Sequence, residues 1–191
     1  MTAYRLRLAT ATDAEAICRI YNQGIEDRVA TLETELRTPD ERRQWLASRD
    51  ARHPVIVAEV TERLSADADP NRASLRPPAV QAGLMVPATI AWASLNVFNA
   101  RECYRFVADI SVYVERSWRG KGVGRVLLER LSELGRDHGF HKLVLSAFPG
   151  NAGGMALYAK SGFRTVGIYH EQGQLDGKWV DTIVMEKLLS V

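Results

Sequence analysis

The chain has 191 residues, of which 25 are Lys or Arg and 23 are Asp or Glu, giving a formal net charge of +2 at pH 7. This length favours one domain spanning residues 1–191, which can bury a sizeable core without disulfides or metals. The charge is too balanced to predict a nucleic-acid partner, and no Lys/Arg run is interleaved with aromatic residues.

The apolar segments and the cysteines narrow the class of protein further. No apolar stretch reaches the roughly 18 residues of a membrane span, and the N-terminal MTAYRLRLAT has no apolar signal core. We therefore expect a cytoplasmic protein with no membrane partner. The two cysteines, Cys18 and Cys103, have no CxxC neighbour, and the histidines show no ligand spacing, so no metal site is predicted.

Hydrophobic periodicity predicts the elements in chain order. A strand at 4–8 precedes a helix that Thr12 and Asp13 are placed to cap, and the loss of periodicity predicts a loop at 24–34. Thr38-Pro39-Asp40-Glu41 has the capping residues of a second helix, which runs to about Ser48. The remaining predicted elements are strands at 54–60, 89–95 and 104–115, a helix at 122–139, a strand at 142–147, a helix at 151–160, and strands at 163–169 and 179–188.

The segment at about 61–85 differs from its flanks, because it is polar, contains prolines and is weakly patterned. We interpret it as an insertion or long hairpin loop within the domain. The resulting order is β-α-α-β-β-β-α-β-α-β-β. It predicts an α/β (α+β) protein with a mixed sheet that carries helices on its faces.

A glycine-rich turn joins the strand that ends near Glu115 to the most regular helix of the chain. The turn reads Arg119-Gly120-Lys121-Gly122-Val123-Gly124 and is followed by Arg125. Backbone N–H groups at a helix N-terminus attract an anion, and glycines let the backbone approach a ligand closely. With three cations nearby, the turn predicts a phosphate or pyrophosphate site.

Two nucleotide-binding patterns do not fit this turn. The nucleotide P-loop requires GxxxxGK[ST], which is absent. The dinucleotide fingerprint requires GxGxxG and an acidic residue after the next strand, whereas the glycines here fall as GxGxG and Ala147-Phe148 follows that strand.

The spacing R-x-x-G-x-G from Arg119 to Gly124 resembles the pyrophosphate-binding motif of the GCN5-related N-acetyltransferase (GNAT) superfamily. The downstream segment NAGGMALYAKSGF, from Asn151 to Phe163, resembles that superfamily's second motif. The resemblance implies the GNAT fold, whose central mixed sheet is mostly antiparallel and flanked by helices. It also implies acetyl-CoA as co-substrate.

Within the superfamily, the chain resembles the phosphinothricin, arsinothricin and methionine sulfoximine N-acetyltransferases. The resemblance rests on IYNQGIEDRVATLET at 20–34, on a carboxylate before SVYV, and on GQLDGKWVDTIVMEKLL at 173–189. It implies acetylation of the α-amino group of a small amino-acid-like substrate, by a homodimer. A protein or peptide N-acetyltransferase and a non-catalytic acyl-CoA-binding sensor are the alternatives.

The resemblance implies roles for residues of the donor site and the reaction centre. Asp109 is the candidate base, and because relatives often have the longer Glu, a proton relay through water is favoured. Burial would have to raise its pKa for work near neutral pH. Tyr158 is the candidate acid, or a donor to the coenzyme sulfur. Val112, Tyr113 and Val114 would offer main-chain groups to the pantetheine arm, and Asn151 would bind the pantetheine or cap the short helix.

An amino-acid substrate also requires cations and a closed, polar pocket. Arg105 lies four residues before Asp109, so a regular strand would place both on one face, and Arg105 is the first candidate for the substrate carboxylate. The weaker candidates are Arg101 and Arg28 for the carboxylate, Asn22 and Glu26 for the pocket wall and the amine, and Trp179 as a closing residue.

Overall fold

The computed structural model describes residues 4–63 and 85–189. The described elements are β1 (Tyr4–Leu8), α1 (Ala14–Glu26), α2 (Pro39–Ala47), β2 (Val55–Arg63), β3 (Met85–Val97), β4 (Val107–Val114), α3 (Val123–Asp137), β5 (Lys142–Ala147), α4 (Ala152–Lys160), β6 (Arg164–Leu175) and β7 (Lys178–Leu188). Short 3₁₀ turns occur at Ala11–Asp13, Glu102–Tyr104 and Arg116–Trp118. The predicted order of helices and strands is confirmed.

The predicted insertion at 61–85 falls largely outside the described residues. Its ends, 61–63 and 85, belong to β2 and β3, which are longer than predicted. Of the helices in the described part of the chain, none is both long and apolar enough to cross a membrane.

The seven described strands form one sheet in the order β1-β2-β3-β4-β5-β7-β6. The β4–β5 pair is parallel, and every other neighbouring pair among these strands is antiparallel. The sheet is therefore mixed and mostly antiparallel, as predicted.

Helices cover both faces of the sheet and bury two apolar clusters. On one face, the stripe of α3, including Leu127 and Leu131, packs on apolar side chains of β2 to β5. On the other face, Ile17 and Ile20 of α1 pack against Trp92 of β3. Both helices thus bury one side, as amphipathic helices do.

Helix α1 is longer than the sequence suggested, so the prediction of a loop from Gly24 onward is wrong at its start. The helix continues to Glu26, and Ile25 is fully buried. A Cβ at Gly24 would lie 2.9 Å from the Tyr113 ring. The glycine is a packing residue here, since it lets α1 approach β4 closely.

Strands β4 and β5 separate partway along their length. Their parallel pairing covers three positions and ends at Asp109, which lies opposite Val144. Beyond that point β4 continues to Val114 against β3 alone, while β5 continues to Ala147 against β7 alone. The sheet therefore opens immediately after Asp109.

Candidate active site

A pocket of about 180 Å³ occupies the opening between β4 and β5. It is lined by Ala30, Asp109, Ile110, Ser111, Val112, Tyr113, Ser146, Ala147, Asn151 and Tyr158. The walls come from β4, from the end of β5, from α4 with its cap, and from the loop that follows α1. Both predicted catalytic residues and three predicted coenzyme residues thus lie around one cavity.

Asp109 stands at the point where the two strands part. Its carboxyl group is partly buried, and burial raises its pKa from 3.8 to about 6. Two donors oppose this rise: the side chain of Asn96, whose Nδ2 lies 3.4 Å from Oδ2, and the N–H of Ile110. The carboxyl group is therefore ionised for the most part at neutral pH and can accept a proton there.

Tyr158 reaches the pocket from α4. Burial, and then the nearby Asp109 carboxylate, raise its pKa to about 12. Its ring meets that of Phe163 edge-on at a centroid distance of 6.1 Å, which holds the phenol in place. Tyr158 is therefore a protonated hydroxyl donor at neutral pH.

Tyr113 lines the same pocket, but its ring packs under α1. It stacks on Trp92 at 4.8 Å between ring centroids and lies 4.9 Å from the ring of Tyr21. Burial raises its pKa well above 10.0. This aromatic cluster fixes the position of β4 and of the main chain that the opening exposes.

The glycine-rich turn precedes α3 as predicted. Gly120 and Gly122 have φ values of 74° and 84°, in the left-handed region that favours glycine. Gly122 is the residue that caps α3, so the first N–H groups of the helix have no acceptor within it. A Cβ at Gly124 would lie 2.8 Å from Leu157, so this glycine lets the start of α3 approach α4.

The three cations predicted beside this turn already have partners. Arg119 forms an ion pair with Asp27 at 2.6 Å and donates to the carbonyl of Val114 at 3.1 Å. The Lys121 ammonium lies 5.1 Å from the Trp118 ring centroid. Arg125 lies 3.5 Å from a carboxylate one turn along α3. All are exposed, so these partners can exchange for an anion at small cost.

Asn151 performs one of its two predicted roles directly. Its side-chain oxygen accepts the N–H of Gly154 at 2.9 Å and caps α4. Because Asn151 also lines the pocket, the cap faces the cavity.

Residues predicted to form the acceptor side lie outside the pocket lining. Asn22 exchanges two hydrogen bonds of 2.9 Å with the main chain of Arg37, and so ties the loop after α1 to the helix. Glu26 pairs with Arg116 at 2.7 Å, and Arg28 pairs with Asp176 at 3.1 Å. Ala30, from the same segment, contacts the cavity instead.

The placement of Arg105 on the strand of Asp109 is wrong. Strand β4 begins only at Val107, and Arg105 ends a 3₁₀ turn, where it pairs with Glu102 at 2.8 Å. The strand argument for a shared face therefore fails. Arg101 is exposed before this turn, and Trp179 is 59% exposed on β7.

Two serines of the lining were missed by the sequence analysis. Ser111 shares a strand face with Asp109, so the same alternation could have found it. Ser146 lies on β5 beyond the separation point, and only the sheet arrangement brings it to the pocket. Asn96, which contacts Asp109 from β3, was also missed because its strand partner depends on the register.

Neither cysteine lines the pocket. Cys18 is buried in α1 and donates to the carbonyl of Arg37 at 3.0 Å, while Cys103 is exposed. Across residues 4–63 and 85–189, no group of three or more His, Cys, Asp or Glu side chains is placed to hold a metal ion.

Comparison with known proteins gives one family and several close structural relatives. The model of the acetyltransferase (GNAT) family matches residues 14–163. YwnH of Bacillus subtilis (strain 168), named for phosphinothricin acetylation, is 31% identical over 185 residues, which cover 97% of this chain and 99% of that protein.

Two solved structures share the fold over nearly the whole chain. A GNAT superfamily phosphinothricin acetyltransferase from Sinorhizobium meliloti, in complex with acetyl-CoA, is 28% identical with a TM-score of 0.79 and covers 100% of this chain and 90% of its own. A ribosomal-protein-alanine N-acetyltransferase from Brucella melitensis is 31% identical with a TM-score of 0.78. The match covers 97% of this chain and 99% of that chain.

Proposed function

This chain belongs to the acetyltransferase (GNAT) family, and we propose that it acetylates the α-amino group of a small amino-acid-like substrate by direct transfer from acetyl-CoA. The observation that carries the proposal is the pocket that joins Asp109 and Tyr158 where β4 and β5 separate. One group there can take a proton and the other can give one, as attack of an amine on a thioester requires.

In the proposed reaction, the amine nitrogen forms a bond to the acetyl carbon, and the bond from that carbon to sulfur breaks. Asp109 takes a proton from the substrate ammonium, through one water, and the neutral amine then attacks. Tyr158 gives its proton to the departing thiolate, and the second proton that nitrogen loses as the amide forms restores the Tyr158 hydroxyl. Main-chain N–H groups of the opened strand are suited to the oxyanion that forms between these events. No covalent enzyme intermediate is involved.

We propose that the coenzyme binds along β4 and the turn after it. The N–H groups from Gly120 to Gly124 would bind the diphosphate, helped by Lys121 and Arg125. Val112, Tyr113 and Val114 would offer main-chain groups to the pantetheine arm, with Asn151 on the opposite wall. The unpaired edge of β4 beyond Asp109 supports this placement.

Arg119 can bind the diphosphate only if its present contacts change. Its guanidinium pairs with Asp27, and its Nε occupies the carbonyl of Val114. Coenzyme binding would exchange at least the first of these contacts for a phosphate. Because the pair is exposed, that exchange costs little.

For the acceptor, we propose a phosphinothricin, arsinothricin or methionine sulfoximine type of molecule. The names of YwnH and of the Sinorhizobium meliloti enzyme support the phosphinothricin type. A homodimer is proposed as well, and the exposed apolar side chains of Val166, Ile168 and Trp179 on β6 and β7 support it. Residues 1–191 as a single domain and a cytoplasmic location remain predictions from the sequence.

An acceptor screen tests the proposal. Acetyl-CoA is offered with phosphinothricin, methionine sulfoximine, methionine sulfone and the common amino acids, and free thiol is detected as it forms. We expect turnover with the glutamate-like and methionine-like acceptors. Thiol release at the no-acceptor background with every amino acid, from a protein that binds acetyl-CoA, would overturn the proposed substrate class.

A second function, acetylation of a protein N-terminus, is favoured by one comparison. The Brucella melitensis ribosomal-protein-alanine N-acetyltransferase is as similar in sequence as YwnH. Peptides with N-terminal alanine belong in the same screen for this reason. Faster turnover of such a peptide than of any free amino acid would select this second function.

A further inference from the structure

A patch of polar side chains lies on neighbouring strands beside the proposed base. In the register of β3 and β4, Ser94 lies opposite Ser111, and Asn96 lies opposite Asp109. All four side chains therefore share the sheet face that carries the Asp109 carboxylate. The arrangement places an amide directly across from the carboxyl group.

Hydrogen bonds determine how the amide of Asn96 is oriented. Its Nδ2 lies 3.1 Å from the hydroxyl of Ser111 and 3.4 Å from Oδ2 of Asp109. An ionised carboxylate only accepts, so the NH₂ end must face Asp109. At the other end, the fully buried Ser94 donates its hydroxyl to Oδ1 of the amide at 3.0 Å.

We propose that Asn96, held by Ser94, is a positioning residue that orients the Asp109 carboxylate and stabilises its ionised form. This inference rests on the proposed role of Asp109 as the base. Asp109 is the last residue of β4 that pairs with β5, and β3, on its other side, supplies the amide. A carboxylate aimed at the pocket then needs no reorientation before it accepts a proton.

The other groups around Asp109 differ in their effect on its pKa. Burial disfavours its charge and raises its pKa to about 6, while the N–H of Ile110 donates to it. Tyr158, from α4, is protonated at neutral pH, and so is Tyr113, further along the strand. Among the described residues that line the pocket, no cation faces Asp109. The amide of Asn96 is thus the side-chain donor that opposes desolvation.

Two substitutions of nearly equal size separate orientation from mere packing. Asn96→Leu keeps the number and branching of the side-chain heavy atoms but removes the donor, and Asn96→Asp keeps the shape but replaces the donor with a second carboxylate. We expect the pKa of Asp109 to rise by about 0.5 in the first variant and by more than about 1 in the second. Ser94→Ala, which only loosens the amide, should give a smaller rise than Asn96→Leu.

The pKa is read from the ¹³C chemical shift of the Asp109 carboxyl group during a pH titration, with the signal assigned through its loss in Asp109→Asn. The acid limb of kcat/KM for the best acceptor should move by the same amount. At pH 8 kcat should fall about 10-fold in Asn96→Leu, with KM for acetyl-CoA within about twofold. A role in folding alone would change the melting temperature without this order of pKa values.

The outcomes of the two proposals differ. An unchanged rate in Asp109→Asn would remove Asp109 as the base, whatever Asn96 does to its pKa. If Asp109→Asn is slow but the Asp109 titration is the same in Asn96→Leu, Asn96→Asp and the parent, the inference about Asn96 is wrong. Should the Leu variant not fold, Ser94→Ala decides, since it loosens the amide without adding a charge and an unshifted titration there also overturns the inference.

Discussion

Replacing Asp109 with Asn is expected to stabilise the protein while it removes the proposed base. Burial raises the pKa of this carboxyl group from 3.8 to about 6, so the folded protein holds a charge in a site that disfavours it. A difference of one between the folded and unfolded pKa corresponds to about 1.4 kcal/mol. The ionised carboxyl group therefore lowers the free energy of unfolding by about 3 kcal/mol at high pH. The neutral Asn keeps the shape and avoids this penalty.

The sign follows from proton linkage. The folded pKa lies above the unfolded value of 3.8, so the carboxyl group is protonated in both states only well below pH 4, and no penalty exists there. The penalty grows as pH rises from 4 to 6 and is complete above that range. The gain from Asp109→Asn should therefore be small at pH 4 and close to its maximum at pH 8.

Urea unfolding of both proteins at several pH values, followed by circular dichroism, measures this gain. A gain that is equal at pH 4 and pH 8, or a loss at pH 8, would refute the desolvated carboxylate. Asp181→Asn is a control of opposite sign. Its carboxylate accepts from the N–H of Glu171 and from His170, which lower its pKa, so the substitution should cost stability at pH 8.

Three further substitutions test the site and the core. Tyr158→Phe should lower kcat with little change in KM for acetyl-CoA, and an unchanged kcat in a thiol-release assay would remove the phenol from the chemistry. Gly122→Ala should strain the backbone by about 1 kcal/mol, because this residue has a φ of 84°, and should weaken acetyl-CoA binding in calorimetry. Gly167→Ala is the matched control: this glycine lies on the exposed β6 and its φ is not positive, so the variant should bind acetyl-CoA as the parent does. Arg7→Met should cost about 3 kcal/mol at pH 7, because it leaves the buried Asp13 without its cation and Glu59 with Arg5 alone. A melting temperature within about 2 °C of the parent would contradict this.

Local pattern was enough to predict the glycine-rich turn and the helix that follows it. The glycine-rich turn and the apolar stripe of α3 lie within one short segment, and a strand end followed by glycines and a regular helix has one usual conformation. The capping box at Thr38 and Glu41 is equally local, and it is present in the structure. Interactions within a few residues along the chain therefore suffice for these elements.

The acceptor side could not be predicted in the same way. Arg28 pairs with Asp176 and Glu26 with Arg116, contacts between residues far apart in the chain that no local pattern reveals. At Glu102–Tyr104 the chain forms a 3₁₀ turn, although Tyr104 was predicted to begin a strand. A residue's preference for strand conformation depends on packing against a neighbouring strand. Where that neighbour is missing, the preference is weak, so pairing within the sheet sets where β4 begins.

The amino-acid sequence by itself determined the order of elements, the glycine-rich turn before α3, and the identity of two groups suited to proton transfer. Only the tertiary structure decided that Asp109 and Tyr158 face one cavity, because that depends on where the pairing of β4 and β5 ends. It also decided which polar neighbours surround the carboxyl group, since Asn96 comes from another strand. Hydrogen-bond register and burial are properties of contacts between distant segments, and these exist only once the sheet has formed.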